Sequence, residues 1–243
     1  IVPIFDGAKD VFHLAALPRV PISIEDPVGT HEVNINGTLN VLMAAREAKV
    51  KRLVYSASSS AYGDQDVFPT EEIFLPMPLS PYGLQKYVGE HYSRLFSLLY
   101  GLETVSLRYF NVYGPRASAE GAYALVIAKF LKQKMEGKPL SIVPDGNQSR
   151  AYSHVYDVVR ANILAMESNK VGKGEVINIG GKKDWSVNQI AEMIGGQKVF
   201  IEPRVEPRRS LPDTSRAKEL LGWESNIELP EGIESLKKLY NIS

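Results

Sequence analysis

Two stretches of the 243-residue chain decide its fold: LVYSASSSAYGD at residues 53–64 and SPYGLQKYVGEHYSRLF at residues 80–96. The first begins with apolar residues and then turns to hydroxyls, so it predicts a buried strand that brings polar groups to one edge of a sheet. The second begins with Ser80-Pro81, a pair typical of a helix N-cap followed by the first helical position. A strand, a loop and a helix are therefore expected to meet at that edge.

The helix carries Tyr82 and Lys86 four residues apart, so the phenol and the ammonium share one face. A free phenol titrates near ~10, and a neighbouring cation that favours the phenolate lowers its pKa. With a strand-end serine, the pair could transfer a proton to and from an alcohol. The alternative is an ordinary surface helix that follows a serine-rich turn.

Bulk composition restricts the class of protein. Basic and acidic residues number 28 each, so no overall charge favours nucleic acid or an anionic membrane. The absence of cysteine excludes disulfides, thiolate nucleophiles and zinc-thiolate sites. No apolar run approaches the ~20 residues of a membrane span, and the first residues lack a signal-peptide pattern. We expect a soluble cytoplasmic enzyme that needs no metal.

Apolar runs and helical periodicity alternate along the chain. Residues 10–16 and 102–108 read as buried strands, residues 32–48 as a crossover helix, residues 154–167 as a helix capped by Ser153 and residues 176–180 as a later strand. This alternation predicts an α/β fold with a parallel sheet. Helices predicted near residues 187–194, 214–221 and 229–240 belong to a smaller C-terminal α/β lobe.

Several motifs occur in one order: the strand ending in serines, then S-P-Y-G-L-Q-K, then R-Y-F-N-V-Y-G-P-R at residues 108–116. In this order they resemble the extended short-chain dehydrogenase/reductase family, and within it the NAD-dependent sugar-nucleotide epimerases and dehydratases. The resemblance includes N-I-N-G-T-L-N at residues 34–40 and P-D-T-S-R-A-K-E-L-L-G-W at residues 212–223. It implies a Rossmann-like, doubly wound parallel sheet that lacks its first βαβ segment, with NAD as cofactor, a UDP-sugar as substrate and a homodimer.

The resemblance also implies roles for individual residues. Tyr82 would exchange a proton with the sugar 4-hydroxyl, Ser58 would hydrogen-bond the same oxygen, and Lys86 would hold the phenolate and the nicotinamide ribose. The implied cofactor contacts are Leu14, Ala15, Ala16, Asn34, Ser56, Tyr82, Lys86, Tyr109 and Phe110. The implied substrate contacts are Ser58, Tyr82, Asn111, Arg150, Arg204 and Ser210, with Arg208 and Arg209 as competitors of Arg204.

Each of these positions also has an ordinary structural explanation. Small residues such as Ala15 occur where helices pack on sheets, Asn34 could be a polar residue at a helix start, and aromatic residues at strand ends are usually core. A loop arginine such as Arg150 is usually solvated.

The chain departs from the family at two places. It has no G-x-x-G-x-x-G turn and no acidic residue about 20 positions later, so the usual cradle for the adenosine half of the dinucleotide is not found. Either a fragment of a longer enzyme or a shortened relative would explain this. The second departure lies at residues 204–206, where a glycine of the family pattern is missing.

The serine segment decides among reactions. Residues 58–63 contain no carboxylate before Asp64, whereas family dehydratases carry an extra acid there, so 4-epimerisation is the leading interpretation. A dehydratase or oxidoreductase, or a non-catalytic nucleotide-sugar-binding relative, are the alternatives. Ser210, small and three residues before Asp213, would admit N-acetylated sugars beside UDP-glucose and UDP-galactose.

The resemblance also suggests boundaries and an interface. A cofactor-binding domain would comprise residues 1–115 and 153–181, and a substrate lobe residues 116–152 and 182–243. The helix from Tyr82 to Tyr100 could supply a dimer face, although core packing would equally explain its apolar residues. Those residues are Tyr87, Tyr92, Leu95, Phe96 and Leu99.

Overall fold

The computed structural model describes residues 2–120, 125–202 and 207–242. Its strands are β1 (Asp10–His13), β2 (Arg52–Ser58), β3 (Glu103–Tyr109), β4 (Val112–Tyr113), β5 (Leu140–Ile142), β6 (Ser149–Ala151), β7 (Ser153–His154), β8 (Lys173–Ile179), β9 (Asp184–Ser186), β10 (Lys198–Phe200) and β11 (Arg209–Ser210). Its α-helices are α1 (Val20–Glu25), α2 (Pro27–His31), α3 (Gly37–Glu47), α4 (Pro81–Tyr100), α5 (Val126–Met135), α6 (Val155–Glu167), α7 (Val187–Ile194), α8 (Ser215–Leu221) and α9 (Leu229–Leu239).

The main sheet has the strand order β1-β2-β3-β8, and every pair in it is parallel. All seven residues of β2 are buried, which explains why its sequence lacks the alternation of a half-exposed strand. Leu53 and Tyr55 pack in the core formed with α3 and α4, while Val54 packs in the core that includes α6. The predicted parallel α/β sheet is confirmed.

Helix α4 begins where the sequence predicts. The Ser80 hydroxyl accepts a hydrogen bond from the Gly83 amide at 3.1 Å, and Pro81 occupies the first helical position, where its missing N–H costs nothing. Gly101, at φ 71°, ends the helix in a left-handed conformation that glycine adopts without strain. The helix start is therefore specified locally.

Two other helix boundaries differ from the prediction. The helical segment expected over residues 32–48 begins earlier, at α2. Asp26 caps α2 by accepting from the Gly29 amide at 2.8 Å, and a π-turn at Glu32–Asn36 joins α2 to α3. Ser153, expected to cap α6, instead donates its hydroxyl to the Phe110 carbonyl at 2.6 Å. His154 caps the helix in its place by accepting from the Tyr156 amide.

A third hydrophobic core lies away from the main sheet. It combines α5, α7 and α9 with β5, and Phe130, Ile190 and Ile233 are among its most buried members. Two small sheets, β10-β5 and β11-β6-β9, lie in the same part of the chain. The lobe predicted for residues 182–243 includes α8, but α8 and Trp223 pack in the main-sheet core.

Part of the apolar surface of α4 is exposed. Leu95 and Leu99 are 44% and 63% exposed, whereas Phe96 is buried in the core with α3. The predicted dimer face thus divides into exposed and core residues. Within the described part of the chain, no helix combines the length and the apolar character that crossing a bilayer requires.

Candidate active site

The carboxyl end of β2 carries the serines that the sequence places there. Ser58 is the last strand residue and is 8% exposed. Its hydroxyl accepts from the Ser60 amide at 3.2 Å and donates to the Ser60 hydroxyl at 3.0 Å, which caps a 3₁₀ turn at Ser59–Ala61. This turn holds Ser58 at the sheet edge.

The first turn of α4 comes very close to that 3₁₀ turn. A Cβ at Gly83 would lie 2.5 Å from the Ser60 carbonyl oxygen, so only glycine permits the approach. Six residues further along, a Cβ at Gly89 would lie 2.2 Å from the Tyr55 hydroxyl. The two glycines therefore let α4 pack tightly on β2 and bring Tyr82 and Lys86 to the strand end.

Tyr82 is half-buried beside Ser58. Its backbone amide donates to the Ser23 hydroxyl at 3.0 Å, which ties α1 to the start of α4. Burial raises the pKa of the phenol, while interaction with the Ser58 hydroxyl and the positive charge of Arg19 lower it. The net pKa lies above the usual value, contrary to the expected decrease, because burial outweighs both.

Lys86 is 4% exposed, and its ammonium donates to the Ser56 carbonyl at 2.8 Å. The ammonium also lies 5.0 Å from the centre of the Tyr55 ring. Burial lowers the pKa of Lys86 to about 8, with Glu90 acting in the opposite direction. The lysine is thus mostly protonated at neutral pH, and it contacts β2 two residues before Ser58.

Charged and polar side chains surround this lysine. Glu90, one turn along α4, forms a two-pronged ion pair with Arg108 of β3 at 2.7 and 2.9 Å, and both side chains are 3% exposed. His13, at the end of β1, hydrogen-bonds the Thr38 hydroxyl at 2.9 Å. Burial and the nearby Lys86 lower the pKa of His13 to about 4, so it is neutral at physiological pH.

Ser56 and Tyr109, two predicted cofactor contacts, touch each other. Their hydroxyls are 3.1 Å apart, and the Tyr109 hydroxyl also donates to the Asn162 side chain at 2.9 Å. Phe110 is 2% exposed and its ring packs near Tyr62, with 6.1 Å between centroids. The phenyl ring therefore belongs to the core, and its contact with a cofactor stays a prediction.

The segment after β1 opens at the same edge. Leu14 is 59% exposed, and Ala15 and Ala16 are small residues at the surface. Asn34, which is 1% exposed, binds the Leu17 backbone amide at 2.8 Å and carbonyl at 3.0 Å. Its amide also donates to Gln85 of α4 at 2.8 Å. Asn34 thus shapes the loop, and a direct cofactor contact stays a prediction.

The predicted substrate contacts lie on neighbouring segments. Asn111 has φ 37°, and its side chain donates to the Ala151 carbonyl at 3.0 Å, which joins the end of β3 to β6. Arg150 on β6 is in register with Ser210 on β11, so the structure brings these two together. The Arg150 guanidinium donates to the Ser149 and Pro207 carbonyls.

Of the three arginines that compete for the predicted substrate contact, the structure describes two. Arg209 forms an ion pair with Asp184 at 2.8 Å and stacks on Phe68, so its guanidinium is engaged on the protein. Arg204 lies outside the described residues. The main-chain carbonyl of Arg208 accepts from the Ser149 amide at 2.9 Å, and its side chain is exposed. A diphosphate contact from Arg204 or Arg208 stays a prediction.

Sequence reasoning missed two polar residues of the site. Arg19 precedes α1 with φ 106° and acts electrostatically on the Tyr82 phenol. Asn162 lies on α6, 53 residues from its partner Tyr109. Neither belongs to a motif, and the folding of a loop and a helix onto the sheet edge brings them there, so no local pattern could have indicated them.

The sequence of the chain is similar to those of known proteins. The sequence model of the "NAD dependent epimerase/dehydratase family" matches residues 3–180. The chain belongs to this family. A putative UDP-glucose 4-epimerase of Methanocaldococcus jannaschii is 39% identical over 238 residues, which cover 95% of this chain and 76% of that protein. Proteins named UDP-glucuronate 4-epimerase and UDP-glucuronic acid decarboxylase also match, at 36% and 31% identity.

Solved structures agree with this assignment. The UDP-glucose 4-epimerase of Thermotoga maritima, solved with UDP-glucose, has a TM-score of 0.90 and 40% identity and covers 98% of this chain and 81% of its own. The UDP-glucuronic acid 4-epimerase of Bacillus cereus, solved with UDP-glucuronic acid and NAD, has a TM-score of 0.88 and 33% identity, with coverages of 98% and 78%. The protein is thus an extended short-chain dehydrogenase/reductase of the NAD-dependent epimerase type.

The cofactor of this family is NAD, and the sheet edge suits it. Lys86 uses one of its three N–H donors on Ser56, so two remain that could reach ribose hydroxyls. The small side chains of Ala15, which is exposed, and Ala16, which is half-buried, would let a ligand approach the backbone of the loop after β1.

Proposed function

We propose that this protein catalyses the NAD-dependent 4-epimerisation of a UDP-hexose. The observation that carries the proposal is the group formed by Tyr82, Lys86 and Ser58 at one strand end, where the flanking turn Ser59–Ala61 contributes no carboxylate. Asp64, the next acid in the chain, is exposed in the following loop. Elimination of water would need an acid-base group beyond these three.

The proposed roles follow from the chemistry of each side chain. Bound NAD supplies a reversible acceptor for the hydride that leaves C4 of the sugar. Tyr82 accepts the proton of the 4-hydroxyl, and the Ser58 hydroxyl hydrogen-bonds the same oxygen. When the 4-keto sugar has rotated in the site, the hydride would return to the opposite face of C4 while Tyr82 returns the proton to the carbonyl oxygen, which gives the alcohol with inverted configuration.

The raised pKa of Tyr82 also fits this scheme. Burial disfavours the phenolate of the ligand-free site. A cationic nicotinamide ring would add positive charge beside Lys86 and favour the phenolate only when the oxidised cofactor is bound. The phenol would then deprotonate when a hydride acceptor is present, which couples proton transfer to hydride transfer.

The proposed sugar of the substrate depends on residues of the predicted substrate lobe. Ser210 is small and lies opposite Arg150 in the backbone register of β11 and β6, and we propose that it leaves room for an N-acetyl group next to a guanidinium that binds phosphate. UDP-glucose and UDP-galactose, and also UDP-N-acetylglucosamine and UDP-N-acetylgalactosamine, are therefore the proposed pairs. Because some relatives are named for UDP-glucuronate, that compound should be assayed beside these two pairs.

The test is conversion of each UDP-sugar by the purified protein with NAD, followed by chromatography and mass spectrometry. We expect a product of unchanged mass, and Tyr82→Phe should lower kcat by ~10²–10⁴-fold because the proton-transfer group is lost. Tyr87→Phe is the matched control, since this phenol lies on the same helix and packs on His91. Loss of water or carbon dioxide, or full activity of Tyr82→Phe, would contradict the proposal.

A dimer through α4 is also proposed. Leu95 and Leu99 are exposed on the helix that carries Tyr82, which supports a face for a second copy. Leu95→Glu/Leu99→Glu should give a monomer in sedimentation analysis if this face is used.

A further inference from the structure

A chain of hydrogen bonds runs from Ser56 on β2 to α6. The Asn162 side-chain amide donates to the Val158 carbonyl at 2.8 Å, so the oxygen of that side chain faces Tyr109 and accepts its hydroxyl at 2.9 Å. A phenol has a single hydrogen, and Tyr109 spends it on Asn162. In the 3.1 Å contact between the two hydroxyls, Ser56 must therefore be the donor and Tyr109 the acceptor.

This polarity fixes what Ser56 can offer to a third group. With its only hydrogen donated to Tyr109, the Ser56 hydroxyl presents lone pairs alone. The Ser56 carbonyl accepts from the Lys86 ammonium at 2.8 Å. The residue is thus held through its hydroxyl on one face of the sheet and through its backbone from α4, and it is 7% exposed.

We propose that Asn162 is a positioning residue which, through Tyr109, locks the Ser56 hydroxyl as the acceptor for the carboxamide N–H of the nicotinamide. The inference rests on the proposed function, which places the nicotinamide next to Tyr82 and Lys86. The carboxamide is bonded to the ring carbon beside the one that takes the hydride, so it has to lie close to the reacting sugar carbon. Ser56 is two residues from Ser58 and touches Lys86, which puts it within that region.

The competing explanation is that the three side chains only join α6 to the sheet. A structural link of that kind would not distinguish cofactors that differ in the carboxamide alone. Replacing the NH₂ group of the nicotinamide carboxamide therefore distinguishes the two explanations.

The experiment is calorimetric titration of the purified protein with NAD, with 3-acetylpyridine adenine dinucleotide, in which a methyl group replaces NH₂, and with thionicotinamide adenine dinucleotide, which keeps NH₂. We expect NAD and the thio analogue to bind about tenfold more tightly than the acetyl analogue, the worth of one buried hydrogen bond. Ser56→Ala and Asn162→Leu should reduce this preference to less than about twofold.

Asn162→Asp is the conservative control. Its carboxyl group keeps an oxygen that accepts from Tyr109 but loses the N–H that Asn162 donates to the Val158 carbonyl, so the preference should survive in a less stable protein. Thermal unfolding checks that each variant is folded. If Asn162→Leu does not fold, Tyr109→Phe breaks the same chain and should also lose the preference.

Equal affinity of the wild-type protein for NAD and the acetyl analogue would overturn the inference while leaving NAD binding intact. Retention of the preference in folded Asn162→Leu or Tyr109→Phe would overturn the role of the chain. Failure of all three dinucleotides to bind would overturn the inference together with the cofactor site of the proposed function.

Discussion

Lys86 combines deep burial with a positive charge, and both matter for function. Its ammonium has the Ser56 carbonyl as a partner, and its pKa falls to about 8 because burial disfavours the charged form. Glu90 limits the fall. The site therefore keeps a protonated lysine at neutral pH at a cost in stability.

That cost predicts a pH dependence of stability. Between pH 8 and the ordinary value of 10.5, the unfolded chain binds more protons at Lys86 than the folded chain, so the free energy of unfolding should rise with pH across this window. The full contribution is about 3 kcal/mol. Urea unfolding of wild type and Lys86→Met at several pH values measures it.

Lys86→Met should lack this rise, whereas the exposed control Lys51→Met should keep it. A rise of the same size in Lys86→Met would show that another group is responsible.

At the scale of elements, the contact between α4 and β2 decides the site. Gly83 and Gly89 allow backbone-level approach, and the pair Glu90–Arg108 ties the middle of α4 to β3. The helix position thus depends on small residues at the contact and on one buried ion pair. Each can be tested separately.

Gly83→Ala should damage both stability and activity. The added Cβ would meet the Ser60 carbonyl oxygen at 2.5 Å, and neither backbone can move freely, so we expect a loss of about 1–3 kcal/mol in denaturant unfolding. Activity should fall because Tyr82 moves away from Ser58. The control is Gly37→Ala in α3, where φ is −60° and the nearest atom is 3.8 Å away.

Gly37→Ala should be stabilising by about 0.4–1 kcal/mol, since alanine restricts the unfolded chain without strain in the helix. If the two variants behave alike, the close approach at Gly83 does not constrain α4.

Glu90→Leu should cost about 3–5 kcal/mol, because it leaves the Arg108 guanidinium buried without its carboxylate. The double variant Glu90→Leu/Arg108→Met should recover most of this loss, since both charges are then absent. Urea unfolding of the two single variants and the double variant measures the coupling. Simple additivity of the two single losses would show that the ion pair contributes no specific link.

At the scale of the whole molecule, long-range contacts join the cores of the main sheet to the core that lies away from it. Asp157 at the start of α6 is one of them, because its carboxylate accepts from Ser225 at 3.2 Å and from the Asn226 and Ile227 amides at 2.9 Å each. This fixes the segment between α8, on the main sheet, and α9, in the core away from the main sheet.

Asp157→Asn should lower the free energy of unfolding by about 1.5–3 kcal/mol at pH 7, the worth of hydrogen bonds to a charged group. Burial works against the carboxylate, but Arg160 and the two amides hold the Asp157 pKa below its ordinary value of 3.8. The stabilisation is then present above pH 3.8 and lost as the pH falls through the folded-state pKa.

Denaturant unfolding at pH 7 and below pH 4 provides the check. The exposed Asp66→Asn is the control and should change little. A gap between wild type and Asp157→Asn that stays constant down to the lowest pH would mean that the carboxylate charge does not matter.

The sequence by itself determined those features that depend on neighbouring residues. The apolar run of β2 specified a strand buried on both faces, and Ser80-Pro81 specified the start of α4, because capping and burial periodicity act over a few residues. These two elements place the strand, the serines, Tyr82 and Lys86 in one order along the chain. That order indicates the family.

Only the tertiary structure decided which partners those residues meet. The opposite pKa direction of Tyr82, the arrival of Arg19 beside it, the chain from Ser56 to Asn162 and the packing of α8 on the main sheet all depend on residues far apart in the chain. Periodicity tells which face of an element is buried, but the depth of burial and the partner on the other side arise when the elements pack together.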